Sequence, residues 1–197
     1  MAGIYVHVPF CKQACIYCDF HFSTNTAKQQ EVVDALVQEI ALQKNYLNGA
    51  KIETIYFGGG TPSLLTEPQL NSILNAIRSH HTIAPYAGIT LEANPDDLTA
   101  EKLRMLKSSG VNRLSIGVQS FNNELLKWMN RSHDAVQALT CINEAQRVGI
   151  DNISIDLIFG SPNQSEALFR ADLEKAVETE VPHISAYSLT VEDKTVL

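Results

Sequence analysis

Short apolar runs with strand character alternate with amphipathic helical segments along almost the whole chain. Six runs have the length and the β-branched content of strands, and they cover 4–8, 52–57, 89–93, 113–118, 153–159 and 184–189. Strands that alternate with helices form βαβ units, which build a parallel sheet with right-handed crossovers. The pattern therefore predicts an α/β fold with six parallel strands, either an open doubly wound sheet or a partial barrel.

The segments between these runs carry apolar residues at helical spacing. Thr66 and Gln69 form a capping-box pattern, and Thr99 and Gly110 are a typical start and stop for a further helix. The first helix is expected to carry Val33, Leu36, Val37, Ile40 and Leu47 on one face; the last two carry residues 136, 139 and 142, and residues 168, 169, 173 and 177. In either architecture, the loops after the C-terminal ends of the strands form the ligand face.

Composition restricts the class of protein. The chain has 197 residues, 45% of them hydrophobic, which excludes intrinsic disorder and predicts one domain over 1–197. A net charge of -7 argues against bulk electrostatic binding to nucleic acid or to anionic lipid. No apolar run is long enough for a transmembrane helix and no secretory signal is visible, so we expect a cytoplasmic protein. The chain stops soon after the last strand-like run, a pattern typical of a fragment that lacks a C-terminal region.

Three of the four cysteines lie close together. Cys11, Cys15 and Cys18 form a C-x3-C-x2-C segment directly after the first strand, whereas Cys141 lies alone in a helical segment. Thiols bunched in this way indicate a metal or an iron–sulfur cluster rather than disulfides. Three thiolates would leave one iron of a 4Fe–4S cluster open to another ligand. The spacing favours this cluster over the alternative, a structural zinc site with His7 or His21 as the fourth ligand.

Later strand ends supply candidate ligand-binding residues. The glycines at 58–60 follow a strand, and their backbone N–H groups can bind the polar end of a ligand. Glu92 and Gln119 end the third and fourth strands, and Arg131 could pair with a carboxylate. Taken singly, these three have ordinary alternatives: a solvated acid, a buried amide and a surface arginine. Asp156 lies inside an apolar strand, where a charge must be paired or face a cavity.

Six motifs follow one another along the chain: YVHVPFC at 5–11, FGGGTP at 57–62, EANP at 92–95, GVQSF at 117–121, NR at 130–131 and DLIFG at 156–160. In this order they resemble the radical S-adenosylmethionine (SAM) superfamily. Within it, they resemble the branch that holds oxygen-independent coproporphyrinogen III oxidase (HemN) and the HemW haem chaperones. The resemblance implies a partial (β/α)6 barrel formed by a radical SAM core domain, which decides between the two architectures.

The resemblance also implies a site. A 4Fe–4S cluster would be held by Cys11, Cys15 and Cys18, and its open iron would chelate SAM. In the family, cleavage of SAM on the reduced cluster gives a radical that abstracts hydrogen, with flavodoxin or ferredoxin as an electron donor. Tyr5, Gly59 and Glu92 would belong to the cluster-bound SAM. The residues expected around a second SAM or the substrate are Tyr17, Gly60, Thr61, Gln119, Arg131 and Asp156.

The sequence departs from the oxidase pattern at one position that bears on the choice of function. Phe20 stands where the oxidase has a fourth cysteine, and this part of the chain resembles the HemW group. The resemblance implies a protein that binds haem and delivers it to a haem-accepting protein. The alternatives are a radical SAM oxidoreductase of porphyrin biosynthesis, acting on coproporphyrinogen III, and a zinc-stabilised binding module without radical chemistry. Whether the protein is an enzyme stays open among them.

Overall fold

The computed structural model describes residues 2–193 and 195–197. Its strands are β1 (Ala2–Val8), β2 (Ile52–Gly59), β3 (Ile83–Ala93), β4 (Arg113–Gln119), β5 (Ile153–Phe159) and β6 (His183–Ser188). Its α-helices are α1 (Gln29–Leu42), α2 (Glu67–His80), α3 (Ala100–Ser109), α4 (Asn123–Trp128), α5 (Ala135–Arg147) and α6 (Glu166–Glu178). Short 3-10 helices at Pro62–Leu64 and Pro95–Asp97 follow β2 and β3.

The six strands form one parallel sheet in the order of the chain, β1 to β6. A doubly wound sheet would require the strand order to reverse, and it does not. Within the residues that the structure describes, β1 pairs only with β2 and β6 only with β5, so the sheet does not close. The predicted partial (β/α)6 barrel is therefore confirmed.

The strands separate an apolar face from a polar one. Along β5, Ile153, Ile155 and Leu157 are buried in the core, whereas Asp156 lines a cavity on the other face. This follows because successive side chains of a strand point to opposite faces of the sheet. The sheet therefore packs one face into the apolar core and presents polar groups to its concave interior.

The predicted helix ends agree with the structure at α2 and α3. The Thr66 N–H donates to Gln69 Oε1 at 3.0 Å, and Thr99 Oγ1 accepts from the Lys102 N–H at 3.2 Å. Gly110 ends α3 in a left-handed conformation. No helix among the described residues is both long enough and apolar enough to cross a membrane.

Most strand bounds lie within two residues of expectation, but one helix end, one strand start and one short helix differ more. The helix α1 ends at Leu42, so Leu47 lies outside it. Strand β3 begins at Ile83, earlier than predicted, because Pro85 and the exposed Tyr86 interrupt the apolar pattern of a strand that nevertheless continues. The short helix α4 was not predicted, since six residues are too few to show a helical period.

Candidate cluster and cofactor site

A cavity of about 810 Å³ lies at the C-terminal ends of the strands. Eleven of the twelve candidate residues line it. They are Cys11, Cys15, Tyr17, Cys18, Gly59, Gly60, Thr61, Glu92, Gln119, Arg131 and Asp156. The twelfth, Tyr5, lies on β1 outside the lining; its ring stacks on Tyr56 with centroids 6.1 Å apart. The fold thus brings residues from five strand ends to one place.

The cysteine loop follows β1 and is fastened at its base. The Cys11 N–H donates to the Ser23 carbonyl at 3.1 Å, and the Ser23 N–H donates to the Pro9 carbonyl at 2.9 Å. Deeper in the loop, the Ile16 N–H donates to the Met129 carbonyl at 3.3 Å. These backbone bonds hold residues 11–22 as one loop against the mouth of the barrel.

The three thiols are free and partly buried. Burial raises the pKa of the Cys11 and Cys18 thiols, so an anionic sulfur there needs a cation to compensate it. In the described part of the chain, no three Cys, His, Asp or Glu side chains converge closely enough to hold a single metal ion. The thiolates of an iron–sulfur cluster bind separate irons and need not converge on one point. Three thiols on one cavity wall therefore suit the donor set of a cluster.

Arg131 connects the cysteine loop to the sheet. Its Nη1 donates to Cys15 Sγ at 3.3 Å and lies 3.5 Å from the Tyr17 hydroxyl. Its Nη2 donates to Asn94 Oδ1 at 2.7 Å and to the Gly117 carbonyl at 2.8 Å. Burial by itself lowers the pKa of Arg131, but the neighbouring Tyr17 and Cys15 groups raise it by more, so the net pKa lies above its ordinary value. A permanent positive charge therefore lies beside the Cys15 sulfur.

Glu92 is held on the inner face of β3 by two donors. The Tyr56 hydroxyl donates to Oε1 at 2.8 Å, and the Gly59 N–H donates to Oε2 at 3.2 Å. Burial raises the pKa of the Glu92 carboxyl, and these two hydrogen bonds offset only part of the effect. Each carboxylate oxygen keeps a free lone pair, so Glu92 can still accept a hydrogen bond from a ligand hydroxyl.

The loop after β2 approaches the cysteine loop at Gly60. The Gly60 N–H donates to the Val8 carbonyl at 2.9 Å, and the Thr61 N–H donates to the Phe10 carbonyl at 2.7 Å. A Cβ on Gly60 would lie 2.6 Å from the Phe10 carbonyl oxygen, so only glycine allows this approach. The Thr61 hydroxyl, placed by the same contact, donates to Cys11 Sγ at 3.4 Å.

Gln119 and Asp156 complete the inner surface. Gln119 ends β4 with a φ of 67°, a left-handed conformation that is uncommon for a residue other than glycine. The register of β4 against β5 shifts at the same point. Asp156 Oδ2 lies 3.5 Å from the Ser115 hydroxyl, and burial raises the pKa of its carboxyl. Backbone strain is typical of functional positions.

Three further side chains, which contact predicted residues, were not among the candidates. Tyr56 orients Glu92, Asn94 accepts from Arg131, and Ser115 lies beside Asp156. The alternation of side chains along a strand could have indicated two of them, because residues an even number apart point to the same face. Asn94 is two residues after Glu92, and Ser115 is four residues before Gln119. The contact of Tyr56 with Glu92 depends on the register of β2 against β3, which the alternation within one strand does not show.

Comparison with known proteins identifies the family. Residues 5–176 match the radical SAM superfamily. The chain belongs to this superfamily. Among radical SAM proteins, the haem chaperone HemW of Lactococcus lactis is 41% identical over 192 residues, which cover 98% of this chain and 50% of the relative. HemW of Bacillus subtilis is 40% identical over 200 residues, which cover 100% of this chain and 52% of the relative.

A solved structure agrees with these relatives. Coproporphyrinogen III oxidase (HemN) from Escherichia coli, a radical SAM enzyme, matches with a TM-score of 0.89 and 30% identity. The match covers 95% of this chain and 44% of that one. The resemblance to the HemN/HemW branch is confirmed. The chain spans about half the length of the curated relatives it matches.

Proposed function

We propose that this chain is the radical SAM core of a HemW-type protein, which carries a 4Fe–4S cluster and SAM and binds haem for delivery to haem proteins. The observation that carries the proposal is the gathering of three thiols, Arg131 and the Gly59–Glu92 pair around one cavity. The HemW names of relatives at 36–41% identity support the haem role. A cytoplasmic location and an electron donor such as flavodoxin or ferredoxin belong to the same proposal.

Cys11, Cys15 and Cys18 would hold the cluster, which when bound supplies an electron and an open iron for SAM. The chain's own residues prepare the surroundings. Arg131 keeps a positive charge against the Cys15 sulfur and donates a hydrogen bond to it. Glu92, fixed by Tyr56 and Gly59, offers an acceptor for a ribose hydroxyl.

Three further residues would act on the ligands in the cavity. Gln119 at the end of β4 and Asp156 in the middle of β5 present polar groups to a second SAM or to the substrate. Tyr17 adds a buried hydroxyl beside Arg131. Because these groups are partly buried in the cavity, ligands bound among them would be partly shielded from water, which strengthens the polar contacts that orient them.

The second candidate function is the oxidation of coproporphyrinogen III. The TM-score of 0.89 to HemN favours it, since the whole barrel matches that of an oxidase. Phe20 favours the chaperone, because it stands at the position of the oxidase's fourth cysteine and cannot supply a thiolate. Its side chain is also 76% exposed at the edge of the cavity.

Anaerobic reconstitution tests the cluster. We expect the wild-type chain to bind about four irons with matching sulfide and to show broad iron–sulfur absorbance. Cys15→Ala should lose stable cluster assembly. Cys141→Ala is the matched control, because Cys141 is buried on α5 away from the cavity and should leave the iron content unchanged. Unchanged iron in Cys15→Ala, or a colourless wild type with one zinc, would contradict the proposal.

Two assays on the cluster-loaded chain separate the functions. Stable haem uptake followed by transfer to an apo-acceptor protein would support the chaperone. Anaerobic conversion of coproporphyrinogen III to a divinyl product, with SAM and a reductant, would support the oxidase instead. SAM cleavage is measured in both, because it reports the cluster site independently of the tetrapyrrole.

A further inference from the structure

The turn between α4 and α5 binds the cysteine loop through Asn130. Asn130 Nδ2 donates to the Ala14 carbonyl at 2.7 Å. Gln13 Nε2 in turn donates to the side-chain oxygen of Asn130, Oδ1, at 2.7 Å and to the backbone carbonyl of Asn130 at 2.8 Å. The amide of Asn130 is therefore used as a donor and as an acceptor at once.

These contacts lie between two of the cysteines. Gln13 and Ala14 occupy the three-residue spacer between Cys11 and Cys15. The Ala14 carbonyl belongs to the peptide unit that ends at the Cys15 nitrogen, so holding this carbonyl fixes the backbone from which Cys15 projects. The bonds of Asn130 consequently act on the position of Cys15 without touching its sulfur.

The backbone of Asn130 supports the same geometry. Its φ is 56°, in the left-handed region where asparagine is tolerated better than most side chains. This conformation places the Asn130 side chain on the cysteine loop while the next residue, Arg131, reaches the Cys15 sulfur from the cavity. On the other side, the Met129 carbonyl accepts from the Ile16 N–H. Three consecutive residues of the turn thus hold the segment around Cys15.

We propose that Asn130 and Gln13 form a positioning pair that orders the cysteine loop and sets the place of Cys15 for cluster binding. The inference rests on the proposed cluster at the three cysteines. Loss of the pair leaves the three thiols in the chain but lets the Cys15 backbone move. The cluster should then assemble less completely, lose iron faster and show altered electronic properties.

Three variants separate the contribution of the side-chain hydrogen bonds from that of the backbone conformation at Asn130. Asn130→Gly keeps the left-handed φ without strain but removes both side-chain bonds. Asn130→Asp keeps the acceptor for Gln13 and sets a carboxylate against the Ala14 carbonyl. Gln13→Ala removes the other partner. The matched control is Asn48→Gly, at an exposed turn residue with a φ of 48° that lies after α1, away from the cavity.

The test measures the rate at which a chelator removes iron from each reconstituted chain, the electron paramagnetic resonance spectrum of the reduced cluster, and the urea midpoint of the apo chain. We expect all three variants of the positioning pair to lose iron about 10-fold faster than wild type, as is seen when other groups that orient metal ligands are removed. Their spectra should shift, while Asn130→Gly unfolds at the same urea concentration as Asn48→Gly. A spectral change is the readout that a purely structural loss would not give.

The outcomes distinguish the two proposals. If the wild-type chain forms no cluster, the proposed function fails and this inference fails with it. If the wild type loads normally and Asn130→Gly matches it in iron loss and spectrum, only the positioning role is wrong. Faster iron loss that also occurs in Asn48→Gly would be a general effect of the substitution, and it would likewise overturn the role of Asn130.

Discussion

The guanidinium of Arg131 donates to the sulfur of Cys15 across 3.3 Å, although the two residues are 116 positions apart in the chain. The same guanidinium also bonds Asn94 and the Gly117 carbonyl, so it joins the cysteine loop to the ends of β3 and β4. This geometry depends on a planar group with several donors in a fixed fork.

Arg131→Lys keeps the charge but cannot make all of these bonds at once. We expect the free energy of unfolding of the apo chain to fall by about 2 kcal/mol, because buried acceptors lose a charged donor. Urea unfolding measures this change. Arg104→Lys, on the exposed face of α3, is the control and should leave stability unchanged. Equal stability of the two variants would show that the Arg131 fork adds nothing to the fold.

Gly60→Ala should disturb the contact between the β2–α2 loop and the cysteine loop. The new methyl group would press on the Phe10 backbone, which cannot move aside as a side chain could. We expect a loss of about 1–3 kcal/mol in urea unfolding, together with weaker binding of SAM to the reconstituted chain.

The control for this substitution is Gly88→Ala in β3. A Cβ at Gly88 meets only Thr54 Cγ2, at 4.0 Å, and its φ is not in the left-handed region. The variant should therefore be as stable as wild type or slightly more stable. The close approach at Gly60 would be unimportant if both alanine variants unfolded at the same urea concentration.

Glu92→Gln should weaken SAM binding. The amide has one acceptor oxygen instead of two and no negative charge, so once that oxygen accepts from the Gly59 N–H or the Tyr56 hydroxyl it offers a ligand hydroxyl a weaker acceptor than the carboxylate does. Calorimetry on the cluster-loaded chain should show affinity reduced about 10-fold, with a smaller loss for Tyr56→Phe. Glu101→Gln, on exposed α3, should bind SAM as wild type does. An unchanged affinity in Glu92→Gln would remove this residue from the SAM site.

His133 should make stability depend on pH. The ring is buried, its Nε2 donates to the Val118 carbonyl at 3.0 Å, and its Nδ1 has no hydrogen-bond partner among the residues that the structure describes. Burial and the nearby Arg131 lower the pKa of His133 to about 4, from 6.5. Between these values the unfolded chain binds a proton that the folded chain does not, so stability falls as the pH falls through this window, by up to about 3 kcal/mol.

His133→Gln isolates this effect, because glutamine can keep the donor to Val118 and does not titrate. Wild type should lose stability relative to the variant as the pH falls from about 7 to about 4.5. Burial raises the pKa values of Glu92, Asp156 and Asp172, which makes stability fall with rising pH, but the comparison of two chains cancels them. A difference that stays constant in urea unfolding across this range would contradict the assignment.

Local patterns were enough to predict the order of the elements and the position of the cysteine loop. The six strands, the bonds at Thr66 and Thr99 and the loop after β1 each depend on neighbouring residues in the chain. The motifs added the family, which comparison confirms. The helix α4 and the early start of β3 were not predicted, because short or interrupted segments carry too little periodicity.

The sequence by itself determined that six parallel strands with helices between them would place polar strand ends and three thiols at one end of the sheet. Only the tertiary structure decided that Tyr56 fixes Glu92 and that residues 129–131 hold the loop around Cys15. The physical reason is distance along the chain. Periodicity and capping act over a few residues, whereas these contacts depend on the curvature and register of strands that the chain brings together from far apart.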